Sequence, residues 1–285
     1  MIYACVVTYN PEEDRLEKNI ASLKQQAALK GVVIVDNGSA NVQNVIKIAT
    51  QYNCNLVQLG ENLGIAKALN VGVSKAIDFG AEWVLTSDQD SVLPPNLISA
   101  FERYLSLEKC AILCPKIYDA NAKVLVDQTE KNGNVVSVNR CITSGSLMKV
   151  SCWQELGGFD EFMFIDGVDF DFCDRLKRNG FNIYRINEVE LNHSIGNMRV
   201  KHIGPIKFLV LNHSAFRKYY ILRNRIYCDY KMSGRLSLKT FLAVIKQILL
   251  IACYETGKKA KLKAAFRGVK DGVSQCRKLK EAVNG

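Results

Sequence analysis

The first hundred residues alternate between short apolar runs and longer segments in which apolar residues recur with helical spacing. The apolar runs predict strands and the periodic segments predict helices. The predicted strands are 3–8, 32–35, 56–59 and 83–86, and helices are predicted at 12–26 and 65–79. This alternation is typical of an α/β fold, in which a mainly parallel central sheet is flanked by helices.

A polar cluster follows each of these predicted strands. The clusters are Thr8-Tyr9-Asn10, Asp36-Asn37, Asn62, and Asp88 with Asp90. Ligands of open parallel sheets bind beyond the carboxyl ends of the strands. Residues two apart in extended chain point to the same side, so both aspartates face one space. Two hard oxygen ligands suit Mn²⁺ or Mg²⁺ on a nucleotide diphosphate; the alternative is a solvated turn that happens to carry two acids.

The rest of the chain is less regular. Apolar runs at 111–113, 135–138 and 141–150 predict further strands, and 168–179 predicts a short helix. After Gly196 the chain is expected to be helical, basic and aromatic.

Charge divides the chain unevenly. The formal net charge of the 285 residues is +10, yet residues 199–285 hold 20 Lys and Arg against 4 Asp and Glu, and residues 1–198 hold 18 against 24. Because the positive excess is confined to the C-terminal region, a fold that binds nucleic acid across its whole surface is disfavoured.

Cysteine content and phosphate-binding motifs narrow the class of protein. Ten cysteines in 285 residues are too sparse for a disulfide scaffold and lack paired zinc-type spacing, so all are expected to be reduced thiols in a cytoplasmic protein. No signal peptide is evident, and the longest apolar stretch, 241–253, contains Lys246 and is too short to span a bilayer. The glycine-rich loops GxGxxG and GxxxxGK[ST], typical of dinucleotide oxidoreductases and P-loop enzymes, are absent from the expected places. Phosphate binding through acid and metal is expected instead.

Four ordered motifs resemble the family 2 glycosyltransferases, and in particular their rhamnosyltransferase-like branch. The motifs are VVTYNP from Val6, VDNGS from Val35, NLGIA from Asn62, and Asp88-Gln89-Asp90. The resemblance covers roughly residues 1–225 and implies a GT-A fold, a nucleotide-diphospho-sugar donor and an inverting transfer. It implies that Asp36 accepts a hydrogen bond from a pyrimidine N3–H, that Asp88 contacts the ribose and that Asp90 ligates the metal. The implied donor-binding residues are Thr8, Tyr9, Asn10, Asp36, Asn37, Asn62, Gly64, Lys67 and Asp88.

The second half carries segments that resemble the acceptor side of the family. One is Thr143-Ser144-Gly145-Ser146, and another is the acidic run from Phe164 to Arg175. The family commonly has Glu-Asp where this chain has Val168-Asp169, so Asp169 is the implied catalytic base. A base is needed because a sugar hydroxyl is a poor nucleophile until its proton is being removed. The implied acceptor or supporting residues are Ser144, Gly145, Asp166, Asp171 and Arg223.

His193 and Arg223 each have two interpretations. The resemblance implies that His193 completes the metal site with Asp90, whereas a lone histidine is more often structural. Arg223 lies in the segment 217–224, which resembles an RxYYxxRN motif of the branch. It is expected either to steady the departing diphosphate or to have a structural or lipid-facing role.

The C-terminal region is expected to be a basic, amphipathic helical segment. One apolar face is formed by Leu238, Phe241, Leu242, Ile245, Ile248, Leu249 and Ala252. It either packs on the catalytic body or anchors the protein to an anionic membrane surface. The expected organisation is a GT-A catalytic domain over 1–198, divided into a nucleotide-binding half (1–110) and an acceptor half (111–198), and a basic region over 199–285.

The function predicted from these observations is inverting, metal-dependent transfer of L-rhamnose from dTDP-rhamnose to a lipid-linked saccharide in cell-surface polysaccharide synthesis. The enzyme is expected to lie peripherally on the inner face of the cell membrane and not to bind nucleic acid. The alternatives are a UDP-sugar-dependent hexosyl or galactofuranosyl transferase of the same fold, a nucleotidyltransferase, and a non-catalytic basic adaptor that binds membrane or nucleic acid.

Overall fold

The structure is a computed structural model that describes residues 1–119, 124–125, 133–193, 199–203, 206–210 and 212–284. Within these ranges the side chains of residues 119, 124–125, 193, 199–203, 206–210 and 282–284 lie outside the description. Contacts divide the chain into two units, Met1–Phe164 with Val168–Ser194, and Ile165–Gly167 with Ile195–Gly285.

Four parallel strands form the first part of the sheet, in the order β3-β2-β1-β4. They are β1 (Ile2–Thr8), β2 (Leu29–Asp36), β3 (Asn55–Gln58) and β4 (Trp83–Asp88), and they are connected by α1 (Glu13–Lys24), α2 (Val42–Gln51) and α3 (Ile65–Asp78). In the sheet Thr8 pairs with Asp36, and Val7 pairs with Asp88. The polar strand ends therefore meet at one edge, as the sequence predicted.

Helix α3 packs directly on the buried strands. A Cβ atom added at Gly72 of α3 would lie 2.2 Å from the Cys5 sulfur of β1, so the helix backbone approaches the sheet too closely for any side chain. On α1, buried Leu16, Ile20 and Leu23 recur at the spacing of one helix face. This close packing fixes the positions of the loops that join strands to helices.

The predicted acceptor half extends the same sheet in the order β4-β8-β5-β9-β7. Its elements are α4 (Leu97–Glu102), β5 (Cys110–Asp119), β6 (Val124–Leu125), β7 (Val135–Val138), β8 (Ser146–Lys149), α5 (Val150–Glu155), α6 (Val168–Arg178) and β9 (Asn182–His193). The strand β8 is antiparallel to β4 and β5, whereas β5 and β9 are parallel.

In this half one strand prediction is corrected, and one strand was missed. The predicted strand over 141–150 is a strand only over 146–149, because Gly145 turns the chain with φ 73° and donates its N–H to the Thr86 carbonyl. The long strand β9 was not predicted, since charged side chains such as Arg185 interrupt its apolar pattern; Arg185 is nevertheless 5% exposed and bonds to Asn187.

The second unit contains a β-hairpin and three helices among its described residues. They are β10 (Arg199–Ile203), β11 (Ile206–Val210), α7 (Ala215–Ser233), α8 (Leu238–Tyr254) and α9 (Lys258–Asn284). The prediction of helix from Gly196 onward is therefore wrong for the hairpin. The strands β10 and β11 are antiparallel and are paired at five positions, and this strand pairing overrides the predicted helical character. The three long helices agree with the predicted helical character.

The helices of this unit pack closely on one another. A Cβ atom at Gly268 of α9 would lie 2.3 Å from the Tyr219 carbonyl oxygen of α7. Glu255, which follows α8 and is 4% exposed, accepts from Lys218 of α7 at 2.5 Å and from Lys261 of α9 at 3.0 Å. In the described part of the chain, every helix is too short or too polar to cross a lipid bilayer.

Candidate active site

The ends of β1 and β2 are joined by a buried hydroxyl–carboxylate contact. Thr8 Oγ1 donates to Asp36 Oδ1 at 3.1 Å, and the Ser39 N–H donates to Asp36 Oδ2 at 3.0 Å. Thr8 is fully buried and Asp36 is 2% exposed. Since a carboxylate oxygen has more than one lone pair, Asp36 keeps acceptor capacity for a ligand that reaches this edge.

Tyr9 and Asn10 leave the strand at the open side of this edge. The Tyr9 ring is 47% exposed, and the backbone N–H of Tyr9 donates to Gln89 Oε1 at 2.8 Å. Asn10, with φ 47°, accepts the Ala40 N–H at 2.7 Å. The middle residue of the Asp88-Gln89-Asp90 motif therefore bonds to the backbone of Tyr9, which remains exposed.

The loop before α3 is held by two asparagines. Asn37 donates to Asn62 Oδ1 at 3.1 Å and accepts the Leu63 N–H, while Asn62 Oδ1 also accepts the Gly64 N–H. The Ile65 N–H donates to the Phe164 carbonyl at 2.6 Å. These three consecutive N–H groups are already bonded to protein, so they do not form the phosphate-binding helix start of a dinucleotide-binding loop.

Gly64 and Lys67 occupy different surroundings near the start of α3. Gly64 has φ 89°, and a Cβ atom there would lie 2.7 Å from Phe164, so only glycine fits. Lys67 pairs with Glu161 at 3.2 Å on the surface, with 42% of its side chain exposed. A surface pair of this kind is weak and leaves the lysine free to exchange partners.

The turn that carries Asp88 and Asp90 is bonded to Asn19 of α1. The Asn19 amide nitrogen lies 2.8 Å from Ser87 Oγ, 3.0 Å from the Asp88 carbonyl and 2.6 Å from the Ser91 carbonyl. Sequence reasoning missed this residue, although a fully buried asparagine on the apolar face of α1 is the signal that identifies it. Asp90 itself points outward, 39% exposed and 3.8 Å from Arg15.

The two carboxylates fit a divalent cation in their chemistry. Among the described side chains, no three His, Cys, Asp or Glu converge on one point. Mg²⁺ in proteins is commonly held by one or two carboxylates together with phosphate oxygens and water. Asp88 and Asp90 therefore match a metal that binds with a nucleotide diphosphate, and not a cage made by protein alone.

Ser144 and Gly145 connect the acceptor half to the end of β4. Ser144 is fully buried, its hydroxyl lies 2.8 Å from Ser91 Oγ, and it accepts the Asp88 N–H at 3.3 Å. A Cβ atom at Gly145 would meet Leu191 at 2.8 Å. Both residues position the turn that carries the two carboxylates.

The acids of α6 have separate environments. Asp171 is 1% exposed and accepts from Arg175 Nε at 2.8 Å; Asp174 is paired with Arg140. Arg175 also donates to the carbonyls of Leu156 and Gly158, so the Asp171 pair fastens α6 to the preceding loop. Asp171 is thereby a supporting residue.

Asp169 is partly exposed and lies where the two halves of the first unit meet. Its Oδ1 atom accepts the Phe170 N–H at 2.9 Å. Asp169 lines a small cavity together with Thr86 of β4 and Thr143, which precedes the Ser144 turn. The fold thus brings this carboxylate near the strand that ends in Asp88.

Asp166 belongs to a turn that is bonded to α7 within the second unit. Asp166 has φ 67° and pairs with Arg217, whose Nε lies 3.1 Å from Asp166 Oδ2. The Asn224 amide donates to the carbonyls of Ile165 and Asp166, each at 2.8 Å. The segment resembling RxYYxxRN therefore holds this turn.

Arg223 supports the same contacts. Its Nε donates to Asn224 Oδ1 at 2.9 Å, its guanidinium lies 4.6 Å from the centre of the Tyr220 ring, and it is 8% exposed. This burial favours the structural interpretation of Arg223. The predicted ligand His193 ends β9, and its side chain lies outside the described residues, so its role as a metal ligand stays a prediction.

Comparison with known sequences decides the family. The family model for glycosyl transferase family 2 matches residues 3–166. The dTDP-rhamnosyl transferase RfbF of Shigella flexneri is 33% identical over 239 residues, which cover 78% of each chain. The chain belongs to glycosyltransferase family 2. It is a rhamnosyltransferase-like glycosyltransferase, as its motifs predicted.

Solved structures agree with the fold. TarS 1–349 of S. aureus, in complex with UDP-GlcNAc, has a TM-score of 0.60 at 15% identity, over 99% of this chain and 91% of that one. The mannosyltransferase PcManGT from Pyrobaculum calidifontis, in complex with GDP-Man and Mn²⁺, has a TM-score of 0.58 at 15% identity, over 99% of this chain and 79% of that one. The predicted α/β fold of the GT-A type is confirmed.

Proposed function

We propose that this glycosyltransferase transfers L-rhamnose from dTDP-rhamnose to a lipid-linked saccharide, with inversion at the anomeric carbon, in cell-surface polysaccharide synthesis. The observation that carries the choice of donor is the 33% identity to a dTDP-rhamnosyl transferase over 78% of both chains. The arrangement at the sheet edge is compatible with a nucleotide diphosphate because buried residues fix the loops while Tyr9 and Asp90 remain exposed.

In this proposal the donor lies along the carboxyl ends of β1, β2 and β4. The exposed Tyr9 ring stacks on the nucleotide, and Asp36 accepts the N3–H of the base through a lone pair left by its contacts with Thr8 and Ser39. Asp88 bonds to the ribose. Asn10, Asn37, Asn62 and Gly64 shape the surrounding loops, and Lys67 contacts the donor after leaving its surface partner.

Asp90, together with His193, is proposed to hold Mn²⁺ or Mg²⁺ on the donor diphosphate. A divalent ion bound there supplies positive charge to the diphosphate as it leaves. The exposed position of Asp90 suits a ligand that meets the metal together with the donor.

Asp169 is proposed to be the general base. The acceptor hydroxyl oxygen attacks the anomeric carbon, its proton passes to the Asp169 carboxylate, and the bond from the anomeric carbon to the diphosphate oxygen breaks. The electron pair of that bond remains on dTDP. Attack on the face opposite the leaving diphosphate inverts the anomeric centre. Partial exposure of Asp169 at the cavity near β4 supports this assignment.

The charge of the C-terminal region supports the proposed acceptor and location. Residues 199–285 hold 20 Lys and Arg against 4 Asp and Glu, which favours an anionic membrane surface. An acceptor anchored in that membrane would be held beside the enzyme. The protein is therefore proposed to work at the inner face of the cell membrane.

Thermal unfolding with added nucleotides tests the donor. We expect dTDP with Mn²⁺ to raise the melting temperature, and UDP, GDP and NAD to raise it less. Stabilisation by UDP alone would replace the rhamnose donor with a UDP-sugar, and indifference to every nucleotide would refute the nucleotide site.

An Asp90→Ala variant tests the metal ligand. We expect it to keep the wild-type melting temperature without ligand, because Asp90 is exposed, and to lose the Mn²⁺-dependent part of stabilisation by dTDP. Asp14→Ala is the matched control, since Asp14 is an exposed acid on α1. A metal response in Asp90→Ala equal to that of the control would contradict the assignment.

A further inference from the structure

The outer face of α8 exposes a continuous row of large apolar side chains. The exposed fractions are 72% for Leu238, 60% for Phe241, 55% for Leu242, 38% for Ile245 and 57% for Leu249. Positions separated by three, four and seven residues lie on one side of a helix. The row therefore forms one stripe, about 17 Å long from Leu238 to Leu249 at 1.5 Å per residue.

The opposite face of α8 is already packed inside the second unit. Val244 and Ile251 are 8% and 0% exposed, and they contact Leu222 and Ile226 of α7 and Ala265 of α9 in one apolar cluster. The helix is thus apolar on both sides, although only one side is covered by this unit. A helix that is apolar all round is normally buried on all sides, and a contiguous exposed apolar patch usually marks an interaction surface.

Two lysines border this stripe along one edge. At 3.6 residues per turn, Lys239 and Lys246 lie about 80 to 100° around the helix from the centre of the stripe, and both are exposed. The helix contains no acidic residue between Leu238 and Tyr254. Lysine side chains in this position extend their charged ends to the lipid headgroups while their stems lie along apolar surface.

We propose that the outer face of α8 inserts into the interface of an anionic lipid membrane and lies parallel to its plane. This inference deepens the membrane part of the proposed function and rests on it. A helix with an apolar stripe edged by lysines is the element that binds such interfaces. Its 17 residues are too few to cross the bilayer.

A second copy of the chain is the other candidate to cover this face, and charge disfavours it. In a symmetric antiparallel pair of α8 helices the same patch faces itself, so the lysine edges would approach one another without an acid on α8 to neutralise them. Anionic headgroups neutralise both lysines. The lipid surface is therefore the occupant whose charge matches.

The proposal gives α8 and α9 different parts in membrane binding. The helix α9 has nine basic residues and one acid over 258–280, yet Phe266 is the large apolar side chain that its described residues expose, at 56%. In this arrangement α9 supplies long-range attraction to anionic lipid, and α8 supplies insertion.

Vesicle flotation of the full chain tests the insertion. The probes are vesicles of phosphatidylcholine mixed with phosphatidylglycerol, and vesicles of phosphatidylcholine alone. The variant Phe241→Ser/Leu249→Ser removes two large side chains of the stripe, and both residues are more than half exposed, so the fold should be retained. We expect binding to the mixed vesicles to fall about tenfold or more, because the variant loses much of the apolar area that inserts.

Phe266→Ser is the matched control, since it removes an equally exposed aromatic ring from α9. It should bind as the wild type does. Lys239→Glu/Lys246→Glu should weaken binding to the mixed vesicles and reduce its salt sensitivity. Binding of Phe241→Ser/Leu249→Ser equal to that of the control would overturn the proposal. So would a wild-type dimer, measured by light scattering, that this variant converts to a monomer while vesicle binding is unchanged.

The outcome is separable from that of the proposed enzyme function. Nucleotide stabilisation and transfer to a water-soluble acceptor analogue should be the same in Phe241→Ser/Leu249→Ser and the wild type. Loss of vesicle binding with both retained supports α8 insertion, whereas vesicle binding without any response to dTDP would refute the proposed donor and leave α8 insertion standing.

Discussion

Asp169 and Asp171 lie two residues apart on α6, and the same substitution is predicted to have opposite consequences at the two positions. Asp171 has no exposed side-chain area, and its carboxylate faces Arg175 Nε at 2.8 Å. Asp169 is partly exposed at the cavity that Thr86 also lines. Asp171→Asn should therefore change stability, and Asp169→Asn should change catalysis.

The stability loss in Asp171→Asn can be worked from its contacts. Removing one partner of a buried ion pair costs about 3 to 5 kcal/mol, because it leaves the other charge uncompensated. Asparagine retains one acceptor oxygen, and Arg175 keeps the carbonyls of Leu156 and Gly158 at 2.8 and 2.7 Å. The expected loss is therefore about 2 to 3 kcal/mol. At about 2 to 4 °C per kcal/mol for a chain of this size, the melting temperature should fall by about 5 to 10 °C.

The free energy of unfolding of Asp169→Asn should lie within about 0.5 kcal/mol of the wild-type value, as is usual for substitutions at partly exposed positions. Removal of a general base typically lowers the rate by about 10² to 10⁴. The variant should still be stabilised by dTDP, since the donor edge is unchanged.

Thermal unfolding and a transfer assay with dTDP-rhamnose, run on both variants in parallel, check the pair. A melting temperature of Asp171→Asn equal to that of the wild type would contradict the first prediction, because the ion pair would then contribute nothing to the fold. Full transfer by Asp169→Asn would remove that residue as the base. A large stability loss in Asp169→Asn would assign it a structural role instead.

Three further predictions concern His213, Cys253 and Asn224. Burial lowers the pKa of His213 to about 4, below its unfolded value of about 6.5. The free energy of unfolding should therefore be highest above pH 6.5 and fall with the pH, by about 1 to 2 kcal/mol at about pH 4.5. Urea titrations of His213→Gln should lack this pH-dependent loss. Cys253 is the exposed thiol of the ten cysteines, and burial raises the pKa of Cys5 to about 12. Brief iodoacetamide treatment should therefore add one label, at Cys253, which mass spectrometry can detect. Asn224→Ala should cost about 2 to 3 kcal/mol in urea unfolding, since two carbonyls of the 165–167 turn lose their donor; an unchanged midpoint would contradict this.

The fold of the predicted nucleotide-binding half was predictable because its pattern is local and repeated. The strands there are apolar runs, buried in β1, β2 and β4 and partly buried in β3, and each run is followed by polar residues that the parallel pairing brings to one edge. The order of polar clusters in the sequence therefore becomes a spatial arrangement without further information. Thr8 lies beside Asp36, as this pattern predicts.

The acceptor half was less predictable because its pairings are distant or masked by charge. The strand β9 buries Arg185 by bonding it to Asn187, so its apolar pattern is broken at a position that is nevertheless internal. The hairpin β10–β11 lies in the region after Gly196, which was predicted to be helical. The neutralisation of Asp171 by Arg175 follows from helical spacing, but its burial does not, since burial depends on the loop at Gly158.

The site divides its residues by exposure, and this division has a physical reason. Thr8, Asp36, Asn19 and Ser144 are almost fully buried, and each bonds to a neighbouring strand end or turn. The hydrogen bonds that these buried groups make within the protein rigidify the edge, so these residues contribute to the fold as well as to the proposed site. Tyr9 and Asp90 are exposed, and a ligand can take their water-facing sides. Substitution of a buried residue should therefore lower both stability and activity, whereas substitution of an exposed one should lower activity alone.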